Sequence, residues 1–219
     1  MRNDSLFENR IDAGIQLAEK LPELDPRSTI VVALPRGGVP IGAVIAQHIG
    51  CPLEVLLIRK IGVPGQQEVA LGAVAVDGKT QISINEDIMV RLGLNADDVK
   101  RLAEEKLPEL EERRQLYFGD RESLPFVGRT LVLVDDGVAT GATMEAALNL
   151  VSSREPAAII LALPVAPENT IAKLASLADQ AICLHQPEHF LSVGSYYIDF
   201  GQVENEEVIA HLEACRQTG

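Results

Sequence analysis

The sequence predicts an α/β protein with a central, mostly parallel sheet flanked by helices. Two observations carry this. Short runs such as Thr29–Leu34 (TIVVAL) and Thr130–Val134 (TLVLV) are apolar on both faces, as strands buried between helical layers must be. These runs alternate along the chain with amphipathic stretches of helical period.

The elements follow in order. Leu6, Phe7, Ile11, Ile15 and Ala18 stand at helical spacing, with Asn3 or Asp4 as cap, and Pro22 and Pro26 close that helix. The strand Thr29–Leu34 ends at Pro35-Arg36-Gly37-Gly38, and Val39–Gly50 reads as the next helix. Glu54–Ile58 is a second strand, and Ile61–Gln67, rich in Gly and Pro, a loop. Leu71–Val76 and Gln81–Ile84 flank Asp77-Gly78, a hairpin turn signal. Glu86–Tyr117 is charged and helical, broken or kinked at Pro108. Its segment Glu104–Arg114 reads as a solvated face of i,i+4 pairs or as a face toward a second subunit. Further on lie a helix over Ala142–Ser153, strands at Ala157–Leu163 and Gln180–Leu184 with a helix around Glu168–Leu177 between them, and a last helix after Glu204. No linker divides the chain, so residues 1–219 are expected to form one domain.

Composition bounds the function. The 219 residues are 47% hydrophobic and 23% charged, enough for a real core. The formal charge is −13, from 19 basic and 32 acidic residues, which argues against sequence-independent nucleic-acid binding. No apolar run approaches about 18 residues, so no membrane span is expected. The polar start MRNDSLFENR is no secretory signal, and Cys51, Cys183 and Cys215 form no CxxC. A cytoplasmic protein with buried thiols is expected. Cys183, His185 and His189 do not make a zinc set, because Pro187 keeps the histidines off one helical face and no fourth ligand stands near.

The most informative stretch is Leu131–Thr143, LVLVDDGVATGAT. Two adjacent carboxylates, Asp135 and Asp136, end a buried strand. A loop with two glycines and two threonines then opens a helix. Ligands of open α/β sheets bind at that edge. Gly137 and Gly141 allow close backbone approach. The N–H groups of the helix start and the Thr140 and Thr143 hydroxyls suit a phosphate monoester. The carboxylates fit ribose hydroxyls or hydrated Mg²⁺, and the sequence offers them no visible cationic partner. A plain N-cap would explain Asp136 but neither the second Asp nor both threonines. The stretch has no Walker lysine, no GxGxxG and no central Ser of a nucleophile elbow.

VLVDDGVATGAT resembles the signature loop of the type I phosphoribosyltransferases. The resemblance implies a phosphoribosyltransferase-like fold with a core over about residues 29–184 and a C-terminal hood over about residues 185–203. It implies that Asp135 and Asp136 hold the ribose of 5-phosphoribosyl-1-diphosphate (PRPP) and that Val138, Ala139, Thr140, Gly141, Ala142 and Thr143 wrap its phosphate, with Gly137 joining the two groups. Pro35-Arg36-Gly37-Gly38 then corresponds to the diphosphate loop, with Arg36 supplying charge, Gly37 close approach and the Pro35–Arg36 peptide bond cis. Arg59–Glu68 (RKIGVPGQQE) stands where the family carries a mobile lid, with Lys60 as its cation; a solvated basic pair on an exposed loop is the alternative. Phe190, Tyr196 and Tyr197 either stack on the acceptor under the hood or pack the hood onto the sheet. Asp199 is expected to join Asp135 and Asp136 at Mg²⁺. Leu163–Pro167 lacks the lysine with which hypoxanthine-type relatives read a purine oxygen.

The implied activity is Mg²⁺-dependent transfer of phosphoribosyl from PRPP to a nitrogen acceptor, a nucleobase in nucleotide salvage, by a homodimer. Asp135, Asp136 and Lys60 are its catalytic candidates. A PRPP- or nucleotide-binding regulator of the same fold is the alternative.

Overall fold

A computed structural model describes residues 6–63, 66–76 and 80–216, and of Gln66–Ala70 the backbone alone. Five strands form a parallel sheet: β1 (Thr29–Ala33), β2 (Leu53–Val55), β6 (Thr130–Val134), β7 (Ala158–Val165) and β8 (Gln180–His185), in the order β2-β1-β6-β7-β8. Side chains alternate between its faces. Val31, Ala33, Val132 and Val134 face α1 (Arg10–Ala18), α2 (Gly38–Ile49) and α8 (Asn205–Arg216). Ile30, Val32, Leu131 and Leu133 face α6 (Ala142–Ser152) and α7 (Glu168–Ala175). Apolar residues on both faces of one strand therefore mean two cores, one on each side of the sheet.

The arrangement fixes where a ligand can sit. The helix after β1 covers one face and the helix after β6 covers the other, although the two strands pair directly from Thr29↔Thr130 to Ala33↔Val134. At such a switch point the strand ends diverge into a crevice. Pro35–Gly38 and Asp135–Thr143 leave the sheet there side by side.

A second, antiparallel sheet joins β3 (Ile58–Val63), β4 (Gln66–Val76) and β5 (Thr80–Ile84). The pairing expected around Asp77-Gly78 is present, although residues 77–79 lie outside the described residues. The expected strand Glu54–Ile58 is divided, with Leu56 and Leu57 between β2 and β3. The expected loop Ile61–Gln67 is corrected: Ile61–Val63 and Gln66–Gln67 are strand, with Ile61 and Val63 buried, and Pro64 and Gly65 lie outside the described residues. The charged region becomes α3 (Glu86–Arg91), α4 (Ala96–Glu104) and α5 (Leu107–Phe118), and Pro108 sits in the first turn of α5, where its missing N–H is tolerated.

The first helix also begins later than its periodicity suggests. Asn9 caps it, accepting from Asp12 N at 3.0 Å, while Asn3 and Asp4 lie outside the described residues. Leu6 and Phe7 are not helical. They run alongside the hood: Leu6 N and Phe7 N donate to Tyr196 O, Ile198 N to Phe7 O and Asp199 N to Glu8 O. Among the described residues no helix is long and apolar enough to cross a membrane.

Candidate functional site

The two strand-end loops meet at Gly37 and Asp136. A Cβ on Gly37 would lie 2.0 Å from Asp136 Oδ2, and one on Gly38 would lie 2.7 Å from Val134 O. Both positions require glycine because atoms of the neighbouring loop occupy the space of a side chain. The Pro35–Arg36 peptide is cis, as expected. The N–H groups of Arg36 and Gly37 reach no acceptor among the described residues, whereas Gly38 N donates to Leu34 O. Arg36 makes a long ion pair to the exposed Glu204, 3.6 Å.

The signature loop is shaped by its glycines. Gly141 caps α6 with φ +79°, a conformation side chains resist, and a Cβ there would meet Thr170 Cγ2 at 2.9 Å. Thr170 Oγ1 donates to Ala139 O at 3.0 Å, and Val138 N donates to Val165 O at 3.0 Å. No acceptor among the described residues takes the N–H of Ala139, Thr140, Gly141, Ala142 or Thr143. Ala139, Thr140 and Thr143 are exposed. Five open donors at the start of an eleven-residue helix make an anion cradle.

The carboxylates differ. Asp135 Oδ1 accepts from Asp136 N at 2.9 Å, and no cation among the described residues pairs with Asp135. Burial pushes its carboxyl well above the usual carboxylate range, and the neighbouring Asp136 charge pushes it further. Burial also raises Asp136, but Arg10 pulls it down. Arg10 Nε donates to Asp136 Oδ2 at 2.9 Å and Nη2 lies 2.8 Å from the same oxygen. The reading of the acidic pair as lacking a cation is thus corrected. Arg10 comes from the N-terminal helix, more than a hundred residues away, and no spacing rule links the two.

The hood aromatics pack the protein together. Tyr197 is buried, its ring lies 5.2 Å from Phe7 and 4.9 Å from Phe200, and its hydroxyl donates to Asp136 O at 2.6 Å. Tyr196 is buried between His185 and Phe190, at 5.4 and 5.7 Å, and donates to His189 O at 3.3 Å. Both rings thus follow the packing alternative that the sequence offered. Phe190 is half-buried. Lys60 lies on β3 opposite Ala73 rather than in a loop.

Among the described residues no three His, Cys, Asp or Glu side chains come together as a metal-binding group, so Asp199 stands apart from Asp135 and Asp136. Its Oδ1 accepts from Gly201 N at 3.1 Å in an exposed turn. Asp135 Oδ2 and Asp136 Oδ1 accept no hydrogen bond among the described residues. Two hard oxygens suit Mg²⁺, which keeps several waters and needs few protein ligands. Cys51 and Cys215 are buried, as expected, and Cys183 is half-buried; burial pushes Cys51 and Cys183 each up to about 11.

Comparison with known proteins gives one answer. The phosphoribosyl transferase domain family matches residues 3–200. A Mycobacterium tuberculosis H37Rv protein named "putative phosphoribosyl transferase" is 39% identical over 212 residues, 97% of this chain but 47% of that protein. The chain thus spans about half the length of the curated relatives it matches. The crystal structure of TT1426 from Thermus thermophilus is also 39% identical, covers 94% of this chain and 97% of its own, and superposes with a TM-score of 0.85.

Proposed function

This chain belongs to the phosphoribosyl transferase domain family, and from that premise we propose that it binds PRPP and transfers its phosphoribosyl group to a nitrogen acceptor, with release of diphosphate. The observation that carries the reading is the meeting of two strand-end loops at Gly37 and Asp136, which sets an anion cradle, two carboxylate oxygens and a second pair of open N–H groups around one crevice. The cradle of Ala139–Thr143 takes the 5-phosphate. Asp135 Oδ2 and Asp136 Oδ1 take the ribose hydroxyls. Arg36 and the N–H groups of Arg36 and Gly37 take the diphosphate.

In the reaction the nitrogen lone pair attacks C1 of the ribose as the bond from C1 to the diphosphate oxygen breaks. The diphosphate leaves with that electron pair, and the nitrogen gives up its proton to the departing diphosphate or to water. Because the transition state is oxocarbenium-like, the protein contributes position and charge rather than a nucleophile. Mg²⁺, held by Asp135 and Asp136 together with the substrate, would offset the charge of the leaving diphosphate. Lys60 adds charge from β3, and the half-buried ring of Phe190 is the remaining aromatic candidate for the acceptor.

A second reading, a PRPP-binding regulator, is favoured by the closed fit of hood and signature loop. A Cβ on Gly137 would lie 2.7 Å from Val193 Cγ1 and 2.9 Å from Val165 Cγ1, so this part of the crevice is filled. Diphosphate release from PRPP and MgCl₂, measured across a panel of nucleobases and amines, separates the two. The enzyme reading requires acceptor-dependent release. Binding of PRPP by calorimetry with no release from any acceptor supports the regulator.

A further inference from the structure

Arg10 is placed as few surface arginines are. All three guanidinium nitrogens are used: Nε and Nη2 converge on Asp136 Oδ2, and Nη1 donates to Gly201 O at 2.7 Å. Its plane lies over the Phe200 ring, 3.9 Å from the centroid. The side chain is 12% exposed. It opens α1 just after the stretch in which residues 6–8 bond to residues 196–199. The hood and the start of the chain thus form one brace, and Arg10 is the point at which it grips the signature loop.

The grip is selective at the level of atoms. The Nε hydrogen bond and the Nη2 ion-pair contact both fall on Oδ2, the oxygen against Gly37, and Oδ1 is left open among the described residues. A carboxylate turning about its Cβ–Cγ bond would present either oxygen. One fixed by a charge-assisted hydrogen bond and an ion-pair contact on a single oxygen presents the other at a set angle.

We propose that Arg10 is a positioning residue for PRPP, fixing Asp136 through Oδ2 so that Oδ1 receives a ribose hydroxyl. The inference rests on the PRPP reading above. Arg10 touches no substrate itself; it acts through Asp136, and Phe200 and Gly201 act through Arg10.

Calorimetry with four proteins tests it: the unaltered chain, Arg10→Gln, Arg10→Lys and Phe200→Leu. The ligands are PRPP, ribose 5-phosphate and inorganic diphosphate, each with MgCl₂. Arg10→Gln is expected to weaken both ribose ligands by roughly ten- to hundredfold, the worth of a charged hydrogen bond, and to leave diphosphate within about twofold. Arg10→Lys should recover about half of the loss on a logarithmic scale, since it keeps the charge but not the fork. Phe200→Leu, which keeps Arg10, should weaken the ribose ligands by about fivefold and serves if Arg10→Gln does not fold. A merely structural role would weaken ribose and diphosphate ligands alike, and that outcome overturns the inference. So does unchanged PRPP affinity in Arg10→Gln. A folded, unaltered chain that gives no heat with PRPP overturns the PRPP reading itself, and this inference with it.

Discussion

Gly37 has no side chain because Asp136 stands where one would be, 2.0 Å between a would-be Cβ and Oδ2. The Pro35–Gly38 loop and the Asp136 carboxylate therefore lie too close together to admit a side chain at residue 37. Gly37→Ala is expected to push Asp136 off Arg10. PRPP affinity should fall by at least about tenfold and stability by about 1–3 kcal/mol, the usual penalty of overpacking. Calorimetry and thermal melts read the two effects, and unchanged PRPP affinity in a folded variant would separate the loops.

Asp135→Asn should weaken PRPP binding by about tenfold or more yet raise thermal stability at neutral pH. Its carboxyl is held above its ordinary range by burial and by Asp136. The native state thus binds that proton more tightly than the unfolded chain. Stability contributed by the group is present at acid pH and lost as pH rises through the raised value. Melts from pH 4 to 8 should show the variant gaining on the unaltered chain as pH rises. Parallel curves would refute the argument.

Gly141→Ala places a side chain at φ +79° against Thr170 Cγ2. A loss of about 1–2 kcal/mol in stability is expected, with phosphate affinity reduced by at least about tenfold as the N–H cradle turns. Titration with inorganic phosphate is the check.

The edge strand offers a test unrelated to PRPP. Glu54 on β2 is 1% exposed, with Arg121 Nη2 donating to Oε2 at 3.0 Å and Nη1 2.9 Å from Oε1. Burial raises the Glu54 carboxyl more than Arg121 lowers it. Arg121→Ala strands the charge and should cost about 3 kcal/mol at neutral pH. The loss shrinks as pH falls toward the ordinary glutamate value, because a protonated Glu54 needs no cation. Replacing both, Glu54→Leu with Arg121→Met, should restore most of the stability in denaturant melts.

Tyr197→Phe removes the 2.6 Å hydrogen bond to Asp136 O and should lower stability by about 1–2 kcal/mol. Acceptor preference should not change, since the ring is enclosed by Phe7 and Phe200. A changed acceptor profile would return Tyr197 to the acceptor site.

Much of the fold was readable because its signals are local. Val31 and Val132 lie within runs that alternate in space but not in polarity, and such runs identify a strand covered on both sides. Asp135, Asp136 and Gly141 stand within one short stretch whose order alone suggests a phosphate loop. Arg10 was not readable: its partner is 126 positions away, and an arginine in an amphipathic first turn resembles any other. Phe7 fitted a helical period by chance, but it pairs with Tyr197 as extended chain. For Tyr196 and Tyr197 composition found the cluster and could not say which way the rings faced. The strand at Ile61 was obscured by Gly62, since residues common in loops also occur in bulged strands, and the β3–β4 register shifts at Gly62.

The brace between residues 6–8 and 196–199 also bears on how the protein acquires its crevice. The contacts of Arg10 span 126 and 191 positions. The parallel strands are also joined over long spans, Thr29↔Thr130 among them, but all of them end by His185, whereas the hood half of the brace, residues 196–201, is synthesised after them. A newly made chain would hold both strand-end loops in place while the Asp136 carboxylate is still unanchored. Competence to bind would then lag behind compaction, and a nick removing the first ten residues would leave an intact sheet carrying an undocked Asp136.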